Sequence, residues 1–263
     1  MLVQCSMLSN MSANVYAFYP RVIDGPCKPV VEAAREIVEA GFGVDLFLSE
    51  YDFVPYTPRD IESLCETTAN ACMVTAHTNA FEWNEAKLRA EIPLAARLGA
   101  KVLVAHPGTF GMEKCDNPPP AEVLRDICKA AADAGVRIAM ENSGRTGIAM
   151  LNRALDMIGL DSGIGVCIDT GHANRSAHID GVPAEGYLER FRDLIVEVHI
   201  NDNQGAEDLH LAPGQGTVNW PAVFSEMRKL RDGAVLCLEL ARQEADPIAA
   251  LTSARDFVRH GMG

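Results

Sequence analysis

The chain has 263 residues, of which 48% are hydrophobic, 22% charged and 6% aromatic, a balance that excludes disordered, collagen-like and coiled-coil chains. Lys plus Arg number 23 against 36 Asp plus Glu, and the resulting charge of −13 repels phosphate backbones and anionic membrane surfaces, so nucleic acid is disfavoured as a partner and a membrane is not expected. The length suits one α/β barrel or two smaller domains. In chain order, short apolar runs predict strands over 2–8, 43–49, 72–77, 101–106, 136–141, 164–169, 194–200 and 234–240. Most are continuous, as in KVLVAH, IGVCID and AVLCLEL, the pattern of parallel strands buried on both faces. Between and after them, amphipathic segments predict helices over 28–40, 59–69, 83–98, 119–134, 147–159, 183–192, 220–231 and 246–260. Pro118, Pro119, Pro120, Pro183 and Pro221 lie at or near these helix starts, and Gly41, Gly99 and Gly135 fall just past the ends.

Eight βα units of about 33 residues, with no linker or compositional break, predict one closed (βα)8 barrel spanning residues 1–263. A doubly wound open sheet would carry a phosphate-binding glycine fingerprint after its first strand, and MLVQCSMLSNMSAN has none. Eight cysteines without a C-x-x-C pair, four of them inside strand-like runs, read as thiols of a reducing compartment. The first residues lack a basic segment and a long apolar run, and nothing approaches the roughly 18 apolar residues of a membrane span. A cytoplasmic protein is expected. No feature marks an oligomer interface, and a homodimer is left open.

Barrel enzymes work at the C-terminal ends of their strands. Strand three ends at His77, strand four at His106, strand five at Glu141, strand six at Asp169 with His172 close behind, strand seven at His199 and strand eight at Glu239. Five of the seven histidines (77, 106, 172, 199 and 210) lie at these ends or in the loop after strand seven. An isolated buried carboxylate costs several kcal/mol unless paired, protonated or bound to a cation. No Lys or Arg stands at a matching strand end, so a divalent metal is expected: Mn²⁺, Mg²⁺, Co²⁺ or Zn²⁺ for three carboxylates and one imidazole, with further histidines favouring zinc. Arg145, Arg175 and Arg242 fall in the loops after strands five, six and eight and are candidates for phosphate contact, although solvated or loop-pairing roles are the simpler assignment. Trp83 and Trp220 are expected to pack at helix starts, and Met7, Met11, Met73 and Met140 to fill the core. No Lys ends a strand and no G-x-S-x-G occurs, which disfavours Schiff-base and serine-nucleophile chemistry.

GVCIDTGHA at 165–173, VHINDN at 198–203 and EDLHLAPGQGTVNW at 207–220 resemble the xylose isomerase-like barrel superfamily, which contains sugar isomerases and epimerases as well as endonuclease IV. The resemblance spans essentially the whole chain. It implies that Glu141, Asp169, His199 and Glu239 are shared metal ligands, and that His172 contacts substrate or a further metal. It also implies that Asp208 and His210 complete an additional site, and that His77 and His106 stand where endonuclease IV holds metal. GFGVDLFLSE at 41–50 looks like the sugar-isomerase second strand, whereas the Arg that many ketose epimerases carry after the strand-seven His is absent from NDNQGAED.

The reading favoured by the sequence is a metal-dependent isomerase or epimerase of a sugar or sugar phosphate. In it, Glu141 and Glu239 move the proton and the metal stabilises an enediolate. The alternative is an endonuclease IV-like zinc phosphodiesterase with up to three metals, acting on abasic DNA. A third is a sugar-binding barrel without turnover.

Overall fold

The computed structural model describes residues 11–18, 28–49, 54–112, 119–241 and 246–263. Eight parallel strands close into one barrel in chain order: β1 (Met11–Asn14), β2 (Gly43–Phe47), β3 (Val74–His77), β4 (Val102–Ala105), β5 (Arg137–Glu141), β6 (Gly165–Asp169), β7 (Ile195–Ile200) and β8 (Val235–Leu238). β8 pairs back onto β1, with Leu236 opposite Met11 and Leu238 opposite Ala13, so the sheet has no free edge. The surrounding helices are α1 (Val30–Glu39), α2 (Pro58–Thr68), α3 (Glu85–Arg97), α4 (Ala121–Asp133), α5 (Gly147–Ile158), α6 (Thr170–Asp180), α7 (Ala184–Phe191), α8 (Trp220–Met227) and α9 (Pro247–Met262). Among the described residues, no helix is long and apolar enough to cross a membrane.

Local sequence accounts for the boundaries. Thr57 caps α2 in a reciprocal capping box with Asp60, and the Asn84 and Asp246 side chains accept from Lys87 N and Ala249 N at the starts of α3 and α9. Gly41, Gly99 and Gly135 sit just past α1, α3 and α4 with positive φ, where a side chain would be strained.

Two elements differ from the sequence expectation. The first strand was expected over 2–8, which lies outside the described residues; the strand that closes the barrel is Met11–Asn14. It escapes a search for apolar runs because Ser12 and Asn14 are polar and yet fully buried. The second is α6, which follows β6 with no loop at all. The Asp169 side chain accepts from His172 N at 2.6 Å, so the last residue of the strand is also the cap of the helix.

The main core lies between strands and helices, where Ile37, Leu64, Leu88, Leu124 and Tyr187 are fully buried. The barrel interior is divided. Val102, Val104, Ala139 and Cys167 form a small apolar cluster on the β4–β6 side. Ser12, Asn14, Asp45, Thr75 and Glu197, also fully buried, supply polar groups from β1, β2, β3 and β7. Barrel interiors are ordinarily filled by branched apolar residues, so a polar half is a departure that calls for a reason. The free thiols Cys167 and Cys237 lie buried in this interior, whereas Cys5, Cys27 and Cys115 lie outside the described residues, as does Met7.

Candidate metal centre

The strand ends bring Glu141, Asp169, His199 and Glu239 together, fully or almost fully buried, with one potential ligand atom from each inside a 4.8 Å span. His199 Nδ1 stands 3.1 Å from Glu141 Oε1 and 3.0 Å from Glu239 Oε2. Asp169 is held by neighbours: Asn201 Nδ2 donates to its Oδ2 at 2.6 Å, and its backbone N–H donates to Asn142 Oδ1 at 2.7 Å. α6 can start this close to β7 because residue 171 is glycine; a Cβ there would collide with Asn201 Oδ1.

Two more groups flank the tetrad. His77 Nε2 and His106 Nδ1 approach the other oxygen of Glu141, Oε2, at 3.3 and 3.1 Å. On the opposite side His172 Nε2 and His210 Nε2 face Asp208 Oδ2 and Oδ1 at 3.2 and 3.3 Å. Each forms a further three-residue set with potential ligand atoms inside the same span. All nine residues singled out in the sequence as ligands or substrate contacts therefore converge on one rim, and Glu141 belongs both to the tetrad and to the set with His77 and His106.

Backbone carbonyls orient the rings. Nδ1 of His77, His172 and His210 lies 2.9, 3.0 and 3.0 Å from the carbonyls of Thr78, Asn142 and Glu239. A carbonyl only accepts, so each Nδ1 carries a proton; Nε2 donates to its carboxylate while the ring is charged and offers a lone pair on that side once this second proton is lost. His210 adopts this position with a φ of 47°, the left-handed region that non-glycine residues enter at a cost.

The electrostatics are those of a cation site. Among the described residues, the ion-pair partners of Glu141, Asp169 and Glu239 are all imidazoles, with no Lys or Arg. Burial pushes Asp169 up to about 6, only partly offset by His172. Burial also raises Glu239, but His199 and His210 more than reverse this and hold it at about 2. Burial lowers His106 to about 4, leaving it neutral and able to bind metal. Three buried carboxylates sharing one side with neutral-capable imidazoles fit divalent cations, and the histidine-rich flanking sets fit zinc.

A cavity of about 680 Å³ opens over this rim, lined by His106, His172, Asp208, Arg145, Arg175 and Phe81. The two arginines named from the sequence thus line the space over the candidate ligand groups, while Arg242 lies outside the described residues. Trp220 does pack at a helix start, and its Nε1 also donates to Asp202 Oδ2 at 2.8 Å. Asp202 additionally accepts from Asn203 N, Gly214 N and Val218 N, which folds the loop carrying Asp208 and His210. Asn142, Asn201 and Asp202 were not singled out in the sequence. Their signal was adjacency: each lies one to three residues past a strand-end candidate ligand.

The family profile described as xylose isomerase-like TIM barrel matches residues 31–260. An uncharacterised Methanocaldococcus jannaschii protein, MJ1311, is 30% identical over 167 residues, covering 58% of this chain and 55% of its own. A probable endonuclease 4 of Staphylococcus saprophyticus is 29% identical over 166 residues, covering 57% and 55%. The chain thus spans about half the length of these curated relatives. A solved D-tagatose 3-epimerase-like protein superposes with a TM-score of 0.71 at 21% identity, covering 97% of this chain and 100% of its own, a likeness of fold. With a profile match over nearly its whole length and a closed eight-stranded parallel barrel, the chain belongs to the xylose isomerase-like TIM barrel family.

Proposed function

We propose that the protein is a divalent-metal hydrolase of phosphate esters with a multinuclear centre. The observation that carries this reading is the division of Glu141. Its Oε1 faces His199 in the tetrad and its Oε2 faces His77 and His106, so one carboxylate joins two ligand sets. A carboxylate used on both oxygens is poorly suited to carry a substrate proton, and this moves the reading from sugar isomerisation to ester hydrolysis.

Glu141, Asp169, His199 and Glu239 would hold one ion, His77 and His106 with Glu141 a second, and His172, Asp208 and His210 a third. Ions in such a cluster activate water and stabilise charge on phosphoryl oxygens. Arg145 and Arg175 present guanidinium groups from the cavity wall, where they would orient the phosphate bidentately. Phe81, His106 and His172 line the same space. Two arginines in a cavity of this size, on a chain of charge −13, suit a compact phosphorylated polyhydroxy compound better than a DNA duplex, which needs several cationic contacts along its backbone.

The second reading is the sugar or sugar phosphate isomerase or epimerase. What favours it is that Glu141 and Glu239 stand together beside His199 Nδ1, supplying the two carboxylates that removal and return of a substrate proton would use. Metal content separates the two. The wild type is expected to hold close to three metal ions per chain, and Asp208→Asn with His210→Gln to lose one whole equivalent, with hydrolysis of a phosphate ester falling in step. A wild type holding one ion, unchanged in the double variant and exchanging the C–H proton of a ketose with solvent, would establish the isomerase instead. Cleavage of an abasic duplex by the same sample would return DNA as the substrate.

A further inference from the structure

We propose that Glu197 is the positioning residue that fixes His199 as a metal ligand through Nδ1; this rests on the metal centre described above. Of the imidazoles around the tetrad, His77, His172 and His210 are turned one way, with Nδ1 held by a backbone carbonyl and Nε2 facing a carboxylate. His199, like the less buried His106, is turned the other way. Its Nδ1 faces Glu141 and Glu239, and its Nε2 points down into the barrel, fully buried and without a hydrogen-bond partner of normal length. When Nδ1 gives its lone pair to a metal, Nε2 carries the proton, and a buried N–H without an acceptor is costly.

Asp45 and Cys237 also have an atom within 4.8 Å of a His199 ring nitrogen, but the carboxylate that pairs with Nε2 is Glu197, whose Oε1 lies 3.7 Å away. That is longer than a hydrogen bond, but neither carboxyl oxygen of Glu197 is engaged at normal length by any described residue, and the residue is fully buried. Glu197 and His199 lie two residues apart on β7, so both project into the barrel. The other polar groups on this side, Asp45, Asn14 and Thr75, are already committed to one another: Asn14 Nδ2 and Thr75 Oγ1 both donate to Asp45. Ser12 Oγ is likewise without a partner at normal length, but Glu197 is the carboxylate with both oxygens open and one of them 3.7 Å from His199 Nε2. The polar half of the interior acquires a reason, because it seats a carboxyl beneath the tetrad's imidazole, whose Nδ1 faces carboxylates and not a backbone carbonyl.

Glu197→Met removes the acceptor at nearly constant length, whereas Glu197→Gln keeps a carbonyl oxygen. In zinc-loaded protein, a proton–nitrogen correlation spectrum should show the His199 Nε2–H as a slowly exchanging, hydrogen-bonded signal in the wild type and in Glu197→Gln. That signal should be lost in Glu197→Met. Affinity for the tetrad ion should fall about 10- to 100-fold in Glu197→Met and recover in Glu197→Gln, while the ion at Asp208 and His210 is unaffected. An unchanged tetrad affinity in Glu197→Met overturns the proposal, and so does a wild-type His199 Nε2–H that exchanges freely, a measurement that stands if the Met variant fails to fold. A wild type that binds no metal at any of the three sets overturns the underlying centre as well.

Discussion

Glu239 follows the last strand, and its carboxyl turns back over the barrel mouth to meet His199 at 3.0 Å. Its neighbours Cys237 and Leu238 are fully buried and fill the strand without it. Glu239→Gln is therefore expected to keep the fold by circular dichroism while weakening metal binding. Activity should fall about a hundredfold or more, since metal charge stabilisation is worth several kcal/mol. A variant with full metal content and turnover would remove Glu239 from the site. At this scale His77, His106, Glu141, Asp169, His199 and Glu239 were legible because each ends an apolar run, whereas His172, Asp208 and His210 were carried by the family resemblance. Glu197 was not, although the pattern was present: in VEVHI, an inward His199 makes residue 197 inward too. Asp45 in GVDLF and Asn14 in MSAN escaped for the same reason, since buried polar groups inside a barrel are matched by partners on other strands that no local window contains.

The element that does most to build the site is α6, and its start is crowded. Gly171→Ala would drive a methyl into Asn201 Oδ1 and displace the amide that holds Asp169. A loss of about 1–3 kcal/mol of stability is expected, read as a lower melting temperature, together with weaker binding of the tetrad ion. An unchanged melting temperature would mean that the helix start has room to shift. This helix was missed in the sequence because TGHANRSAHID has no apolar stripe, and Asp169 was read as a strand end, not also as a cap. The loop between β7 and α8 makes a parallel case. Asp202→Ala would leave the buried N–H of Val218 and the Trp220 indole without their acceptor, so one metal equivalent, the ion assigned to Asp208 and His210, should be lost before the tetrad is. Simultaneous loss of all metal would show the sites to be inseparable.

For the whole molecule, the imidazoles tie stability to pH. Burial lowers His210, but Asp208 and Glu239 beside it more than reverse this, raising it from 6.5 to about 9, and His172 and His199 shift in the same direction. A raised folded pKa stabilises fully below the unfolded value, and the benefit is lost as pH rises through the folded one. Metal-free protein should therefore melt at lower temperature as pH goes from 6.5 to 9. Metal must displace those same protons, so the melting-temperature gain on adding zinc should grow across that window. A metal-free melting temperature that is level from 6.5 to 9 would mean the histidines are neutral in the folded chain. The divided interior also bears on how the barrel opens. The β4–β6 side is sealed by Val102, Val104, Ala139 and Cys167, whereas the seam where β8 meets β1 and β2 encloses Ser12, Asn14 and Asp45 and gains less from excluding water. Without metal, that seam is where the cylinder should breathe first. Amide protons of Ala13 and Leu46 would then trade with deuterium sooner than those of Leu103 and Ala139, and bound zinc should close the gap between them.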